Sequence, residues 1–358
     1  VAPRHVVPAS TMQLSTASLQ TLPQTLPPVH GSVPAVQKFI TQVSTPLQNR
    51  PSSQLMVLLL CCRPKQWPSS CAVVRWLRVW SVLPNADVPG MAFAWPLPLR
   101  VMGRMLGLPQ DDLERLHHWS NDWLALHQPG GSLEQQLDWA RNTVALQRYF
   151  MDALQQREAR GGDDLLAALL AASREIHPPL PPDVVMGVPF DLVIAGHVTV
   201  TRAIGNALLT LLGDRSRLDE LRADPGLWTV AIEEMLRLES PAQGLFRTTT
   251  RAVTLGGVEI AAGARLMVHY GSANRDELRF ANADVYDAHR EGLARHLAFG
   301  KGIHFCMGAP LARLELRLAL PRLLERLPNL RLASDDSYDY EPIFFARGLS
   351  KLRLEWDA

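Results

Sequence analysis

Residues 299–309 read Phe299-Gly300-Lys301-Gly302-Ile303-His304-Phe305-Cys306-Met307-Gly308-Ala309, and an apolar segment with helical spacing follows at once. One cysteine framed by small residues and backed by a helix is the pattern of a thiolate presented to a planar metal cofactor. Gly300 and Gly302 let the backbone fold tightly under a flat ligand, and Gly308 allows close approach. N–H groups at the start of the following helix favour the thiolate over the thiol. The competing reading is a buried structural cysteine in a glycine-rich turn, the common fate of a lone thiol.

The chain has 358 residues, enough for one large domain or two average ones. Hydrophobic residues make up 47% and charged residues 20%, the balance of a globular protein with a large core. A net charge of +1 gives no case for nucleic acid or an anionic membrane as partner. The longest wholly apolar run, Leu55 to Cys62, is too short to span a bilayer, and no signal-peptide order opens the chain. Four cysteines, one of them in the loop above, make no disulfide framework, so a cytoplasmic location is expected.

Composition divides the chain near residue 87. Residues 1–87 hold one acid, Asp87, against seven Lys or Arg, and 11 of the 27 prolines. Three of the four cysteines, Cys61, Cys62 and Cys71, also lie there. No helical or strand period is sustained. Three readings compete: a Pro/Ser/Gln-rich disordered arm, a metal site on the three cysteines, or a segment from a shifted reading frame or unrelated upstream sequence. The third accounts best for the loss of acids. The expected organisation is thus an aberrant segment over 1–86, packing loosely and binding no metal, and a regular domain over 87–358.

Within that domain apolar spacing predicts helices over 111–127 and 133–160, a short one opened by Asp163-Asp164, and a long one from Pro182-Asp183 to about Gly213. Further helices are expected over 214–222 and from Pro225 to about Glu239. Between 245 and 270 the pattern alternates, with turns at Gly256-Gly257 and Ala262-Gly263, so short strands are expected. The fold class is mainly α with a small β region.

Two more patterns carry chemistry. The long helix contains Ala195-Gly196-His197-Val198-Thr199, where a mid-helix glycine costs about 1 kcal/mol against alanine and so implies a packing or ligand reason. Glu234-Met235-Leu236-Arg237 sets a carboxylate and a guanidinium on one helix face; an exposed pair of that kind contributes only a few tenths of a kcal/mol.

Together these stretches resemble the cytochrome P-450 superfamily, whose haem signature places the phenylalanine, here Phe299, seven residues before the cysteine. The resemblance covers about residues 87–358 and implies a P450-like fold carrying haem b (iron protoporphyrin IX), with Cys306 on the iron. It implies that Phe299, Gly300 and Gly308 shape the cofactor loop, and that Arg247 and His304 hold the propionates. Ala195, Gly196 and Thr199 match the oxygen-side helix, where Gly196 would widen the groove and Thr199 would hydrogen-bond dioxygen. Glu234 and Arg237 match the Glu-x-x-Arg element, which a later arginine, here Arg290, completes; Asn274-Arg275-Asp276 also fits.

One departure is clear: Val198 stands where the family has an acid, and an apolar side chain relays no proton. His197 reads as a core histidine, with a substitute relay as the alternative. No His-x-x-x-Arg occurs over 1–86, where the family has a propionate-binding helix. The implied activity is insertion of one atom of O2 into an apolar or amphipathic small molecule. Electrons would come from a ferredoxin or flavodoxin with its reductase. The rival readings are a disrupted member lacking the substrate cap and a non-catalytic haem-binding protein.

Overall fold

The structure is a computed structural model that describes residues 93–128, 130–333 and 339–357. The expectations for residues 1–86 and for Cys61, Cys62 and Cys71 lie outside the described residues. Internal contacts divide the chain into two units, and the boundary falls inside the long central helix. Of the described residues, the helical unit holds 93–202, 307–333 and 351–357; the mixed unit holds 203–306 and 339–350.

The helical unit opens with α1 (Pro96–Met105), a helix the sequence did not announce because prolines stand at positions 96 and 98. Both sit in the first turn, where backbone N–H groups lack an intrahelical partner anyway. Leu97, Leu99 and Met102 are buried. Gly107 ends the helix at φ 65°, and a side chain there would collide with the Asp164 carboxylate. After α2 (Leu113–Ala125), a capping box at Ser132 and Gln135 starts α3 (Leu133–Arg160). The two helices pack against each other, and Leu116, Leu146 and Phe150 on them are all at 0% exposure.

Arg157, near the end of α3, donates to the Gly107 carbonyl at 2.5 Å and to Asp164 at 3.0 Å. Asp164 in turn accepts from Ala167 N, capping α4 (Leu165–Glu175). One arginine therefore joins three helix ends. The helical unit also includes α5 (Pro182–Leu212) as far as Arg202, α9 (Ala309–Arg326), and the antiparallel pair β5 (Arg331–Leu332) and β6 (Leu354–Glu355). Helix α5 is long and apolar enough to cross a bilayer, yet 72% of its most apolar window is buried inside the protein, as in a core helix.

The mixed unit contains the end of α5, then α6 (Arg215–Ala223) and α7 (Trp228–Leu238), the latter entered through a 3-10 turn over Pro225–Leu227. Strands β1 (Gly244–Thr248) and β4 (Arg265–His269) pair antiparallel, with Arg247 opposite Leu266. Between them β2 (Val253–Leu255) and β3 (Val258–Ile260) form a hairpin. Its turn residues, Gly256 and Gly257, have φ of 55° and 79°, the two-residue turn that matches strand twist. A short α8 (Tyr270–Ala273) leads into an irregular segment that runs to Cys306.

That segment is held by charge. Glu234 and Arg237 on α7 are both fully buried, and Arg290 is nearly so. Arg237 binds Glu234 bidentately, at 2.7 and 2.8 Å, and its third nitrogen donates to the carbonyls of Asn274 and Ala283 at 2.6 and 2.7 Å. Arg290 donates to the same carboxylate at 2.9 Å and to the carbonyls of Ala281 and Val285. Every charge has a partner, as a buried ionic set requires.

Glu234→Ala is expected to cost about 3–5 kcal/mol in urea unfolding, because it leaves two guanidinium groups buried without a counter-charge. Arg222→Ala, which removes the exposed pair with Asp219, is expected to cost less than about 1 kcal/mol. Similar losses for the two variants would contradict this account of the segment.

Candidate functional site

The cysteine loop lies in the mixed unit. Leu297 N donates to Asn274 Oδ1 at 2.6 Å, so the loop hangs from the side chain of a residue whose backbone carbonyl accepts from Arg237. Asn274 is fully buried, and its Nδ2 donates to Ser240 Oγ at 2.8 Å. From that anchor the backbone turns back on itself: Gly300 N donates to Leu297 O, and Cys306 N to Phe299 O at 2.8 Å. Gly300 and Gly302 adopt φ of 65° and 74°, the left-handed region that favours glycine. Helix α9 begins at Ala309, three residues after Cys306, with Gly308 as its N-cap.

Residues 301–305 are exposed, Phe305 at 49% and Ile303 at 69%, while Cys306 is half-buried and in no disulfide. Exposure of large apolar side chains beside a thiol calls for a partner surface. Arg247 and Leu245 share one face of β1, and Leu245 is 49% exposed. Burial lowers the His304 pKa, and the nearby Arg247 charge lowers it further. A half-buried cysteine, exposed apolar side chains, and an arginine whose charge is felt by the loop's histidine fit a flat apolar macrocycle with two carboxylates. Haem is therefore compatible with this loop.

On α5 the residues expected at the oxygen side occupy a distinct stripe in the helical unit. Residues 184–190 are buried on all sides, but Asp191 and Ala195 are exposed and Thr199 is half-exposed. Positions 191, 195 and 199 are four apart and so share a face. Thr199 Oγ1 donates to the Ala195 carbonyl at 2.8 Å. Gly196 has a packing reason: a Cβ there would lie 2.8 Å from the Met102 sulfur on α1. The glycine admits a neighbouring helix side chain, a cause invisible in the local sequence.

His197 and Val198 are off this stripe, at 0% and 7% exposure. His197 Nδ1 lies 2.7 Å from the Val193 carbonyl, which can only accept, so the proton sits on Nδ1. Its Nε2 then accepts from His117 Nδ1 at 3.3 Å, and His117 Nε2 accepts from Asn121 at 3.2 Å. Trp95 stacks on His117 with centroids 4.3 Å apart. Burial, reinforced by neighbouring positive groups, lowers His117 to about 4 and His197 to about 3, so both are neutral near pH 7. The chain ends on a backbone carbonyl, not on Thr199. His197 is a core histidine.

Sequence reasoning did not single out Asp191 or Glu315. Asp191 is the only acid between residues 184 and 201, a run in which the other polar residues are His197, Thr199 and Thr201, and that isolation was the available signal. Glu315 on α9 is fully buried, neither carboxylate oxygen has a hydrogen-bond partner, and burial pushes it up to about 8. It stands between Leu314 and Leu316 in the apolar segment that follows the cysteine loop. Among the described residues no group of three or more His, Cys, Asp or Glu side chains could hold a metal ion.

Gly196→Val is expected to destabilise the chain by about 1–3 kcal/mol through overpacking against Met102. The double variant Gly196→Val/Met102→Ala is expected to recover part of the loss in thermal or urea unfolding. Additive losses would show that the glycine serves some purpose other than admitting Met102.

A family model described as Cytochrome P450 matches residues 226–337, which contain the Glu234–Arg237 helix, Arg290 and the cysteine loop. Cytochrome P450 107B1 of Saccharopolyspora erythraea is 42% identical over 262 residues, covering 73% of this chain and 62% of the relative. The cytochrome P450 monooxygenase PikC of Streptomyces venezuelae is 36% identical over 268 residues, 74% of this chain and 62% of the relative. The chain thus spans less than two thirds of the length of these curated relatives. A crystal structure of P450BioI in complex with a hexadec-9Z-enoic acid ligated acyl carrier protein superposes with a TM-score of 0.81. It is 30% identical, over 94% of this chain and 87% of that one. Likeness at that identity and coverage agrees with the geometry of the loop, and the chain belongs to the cytochrome P450 family.

Proposed function

We propose that the chain is a haem-thiolate monooxygenase that inserts one oxygen atom from O2 into an apolar or amphipathic small molecule. The observation that carries this reading is the half-buried Cys306 thiol at the end of a loop whose apolar side chains are left exposed. When bound, haem b supplies dioxygen activation and C–H oxidation, and a thiolate ligand favours O–O cleavage. The protein supplies placement. Cys306 would hold the iron; Phe299, Gly300 and Gly308 would shape the bed for the ring; Arg247 and His304 would hold the two propionates, the arginine by its planar fork. Glu234, Arg237 and Arg290, through Asn274, would keep the loop in register.

Ala195, Gly196 and Thr199 would form the oxygen-side wall. Ala195 contributes a small exposed surface, and Thr199 Oγ1 carries a proton that the Ala195 carbonyl accepts in the present structure. Electrons would reach the site from a ferredoxin or flavodoxin with its reductase. A second reading, a member that binds haem without productive turnover, is favoured by one observation. Val198 replaces the family's acid, and His197 does not stand in for it.

The full chain, loaded with haem and reduced under carbon monoxide, is expected to show the strongly red-shifted Soret band of thiolate ligation, and Cys306→Ala is expected to abolish it. A histidine-type spectrum in the unmutated protein would contradict the proposal.

Position 198 is tested by coupling. Without an acid beside Thr199, proton delivery is slow and reduced oxygen should leave as hydrogen peroxide. Val198→Asp is expected to raise the product formed per NADPH consumed at least about twofold, a small part of what a positioned acid contributes. Unchanged coupling with a true substrate would mean that another relay already serves.

A further inference from the structure

The cysteine loop has a second tie to α7, beside the Glu234 set. His296 stands just before the loop, at the end of the 3-10 turn over Leu293–Arg295, and its side chain is 2% exposed. The ring is bonded at both nitrogens. Nε2 lies 2.9 Å from Glu233 Oε2, and Ala298 N donates to Nδ1 at 3.1 Å. A backbone N–H can only donate, so Nδ1 carries no proton and Nε2–H donates to the carboxylate. Both bonds are met only by the neutral ring in that tautomer.

Placement gives these two bonds their weight. Leu297 and Ala298 are consecutive, and each backbone N–H ends on a buried side chain, Asn274 Oδ1 for the first and His296 Nδ1 for the second. The Phe299 carbonyl, next along the chain, accepts from Cys306 N. The His296 and Phe299 rings lie 6.0 Å apart between centroids, and those of Phe299 and Phe305 are 6.5 Å apart. One imidazole thus ties the entry of the loop to α7 and lies beside the residue that holds the cysteine amide. A histidine that only closes a turn on the amide two residues on needs neither burial nor a carboxylate from another element.

We infer, on the reading of Cys306 as the thiolate ligand of the iron, that His296 is a positioning residue for that ligand. Held by Glu233, it fixes the place at which the loop presents the sulfur, and the link from Glu233 through His296 to Ala298 acts as a unit. The two consecutive acids of α7 then divide the work. Glu234 orders the irregular segment through its arginines, and Glu233 reaches the loop directly through one neutral ring. Removing a group that orients a metal ligand without touching the metal changes metal affinity or activity by roughly 10- to 100-fold.

The test follows the reduced carbon monoxide complex of the haem-loaded full chain over time. Its red-shifted Soret band reports thiolate on iron, and decay to an unshifted band reports loss or protonation of the sulfur. His296→Phe keeps the bulk of the ring and removes both bonds, and Glu233→Ala removes the acceptor. Each is expected to speed the decay about tenfold or more. The double variant is expected to decay no faster than the faster single one, because both residues act through one link. His296→Asn keeps an acceptor for Ala298 N, and His296→Gln keeps a donor for Glu233, so both should fall between the parent and His296→Phe. Glu233→Gln still offers an oxygen to Nε2–H and is expected to restore most of the parent lifetime. Leu218→Ala, which empties buried volume on α6, should lower the melting temperature and leave the decay as it is in the parent.

Should His296→Phe fail to fold, the Asn, Gln and Glu233 variants make the same comparison. Decay at the parent rate in the His296 variants would overturn the inference and leave thiolate ligation intact. So would single effects that multiply in the double variant, or decay in Leu218→Ala as fast as in His296→Phe. A parent without any red-shifted band would overturn the assignment of Cys306 and the role of His296 with it.

Discussion

Two guanidinium groups share one carboxylate at Glu234, where water does not reach, and the irregular third of the mixed unit depends on that arrangement. Residues 274–306 contain almost no regular structure, so their backbone carbonyls need other partners. Arg237 and Arg290 supply them, reaching the carbonyls of Asn274, Ala281, Ala283 and Val285 while Glu234 balances both charges. Such a set contributes little net stability compared with an apolar core of the same size, but it fixes one geometry and no other. Asn274 passes that geometry on: Arg237 holds its carbonyl, and its side chain holds Leu297 at the head of the cysteine loop. Position at Cys306 is thus set by charges on α7.

Helix α5 solves a different problem. Its buried faces are crowded: Met102 fills the notch at Gly196, and His197 next to it is sealed against His117 with both rings neutral. Crowding on those faces leaves a single stripe at positions 191, 195 and 199. Along it the chemistry grades from a lone carboxyl through a small residue to a hydroxyl.

The cysteine loop, the Glu-x-x-Arg helix and the strand pair at Arg247 were legible because each rests on local spacing. Helix α5 was legible in extent, since nearly every residue from 184 to 200 is apolar. Helix α1 was hidden by Pro96 and Pro98, which a first turn tolerates but which read as breakers. Gly196 announced a packing or ligand reason, but its neighbour Met102, some ninety residues earlier, could not be inferred from spacing. Glu315 and Asp191 were missed for a shared reason: a carboxyl's environment is set by residues distant in sequence, so both looked like ordinary acids. The division of the domain inside α5 likewise left no trace in composition, because both parts of that helix are equally apolar.

The central claim is that Cys306 sulfur bonds the iron when haem is bound. Resonance Raman spectroscopy of the ferric haem-loaded chain, grown with ordinary or sulfur-34-labelled cysteine, tests it directly. The account predicts an iron–sulfur stretching band that moves to lower frequency with the heavier isotope and disappears in Cys306→Ser. A spectrum with no sulfur-sensitive band, and with a band that shifts on labelling histidine with nitrogen-15, would contradict it.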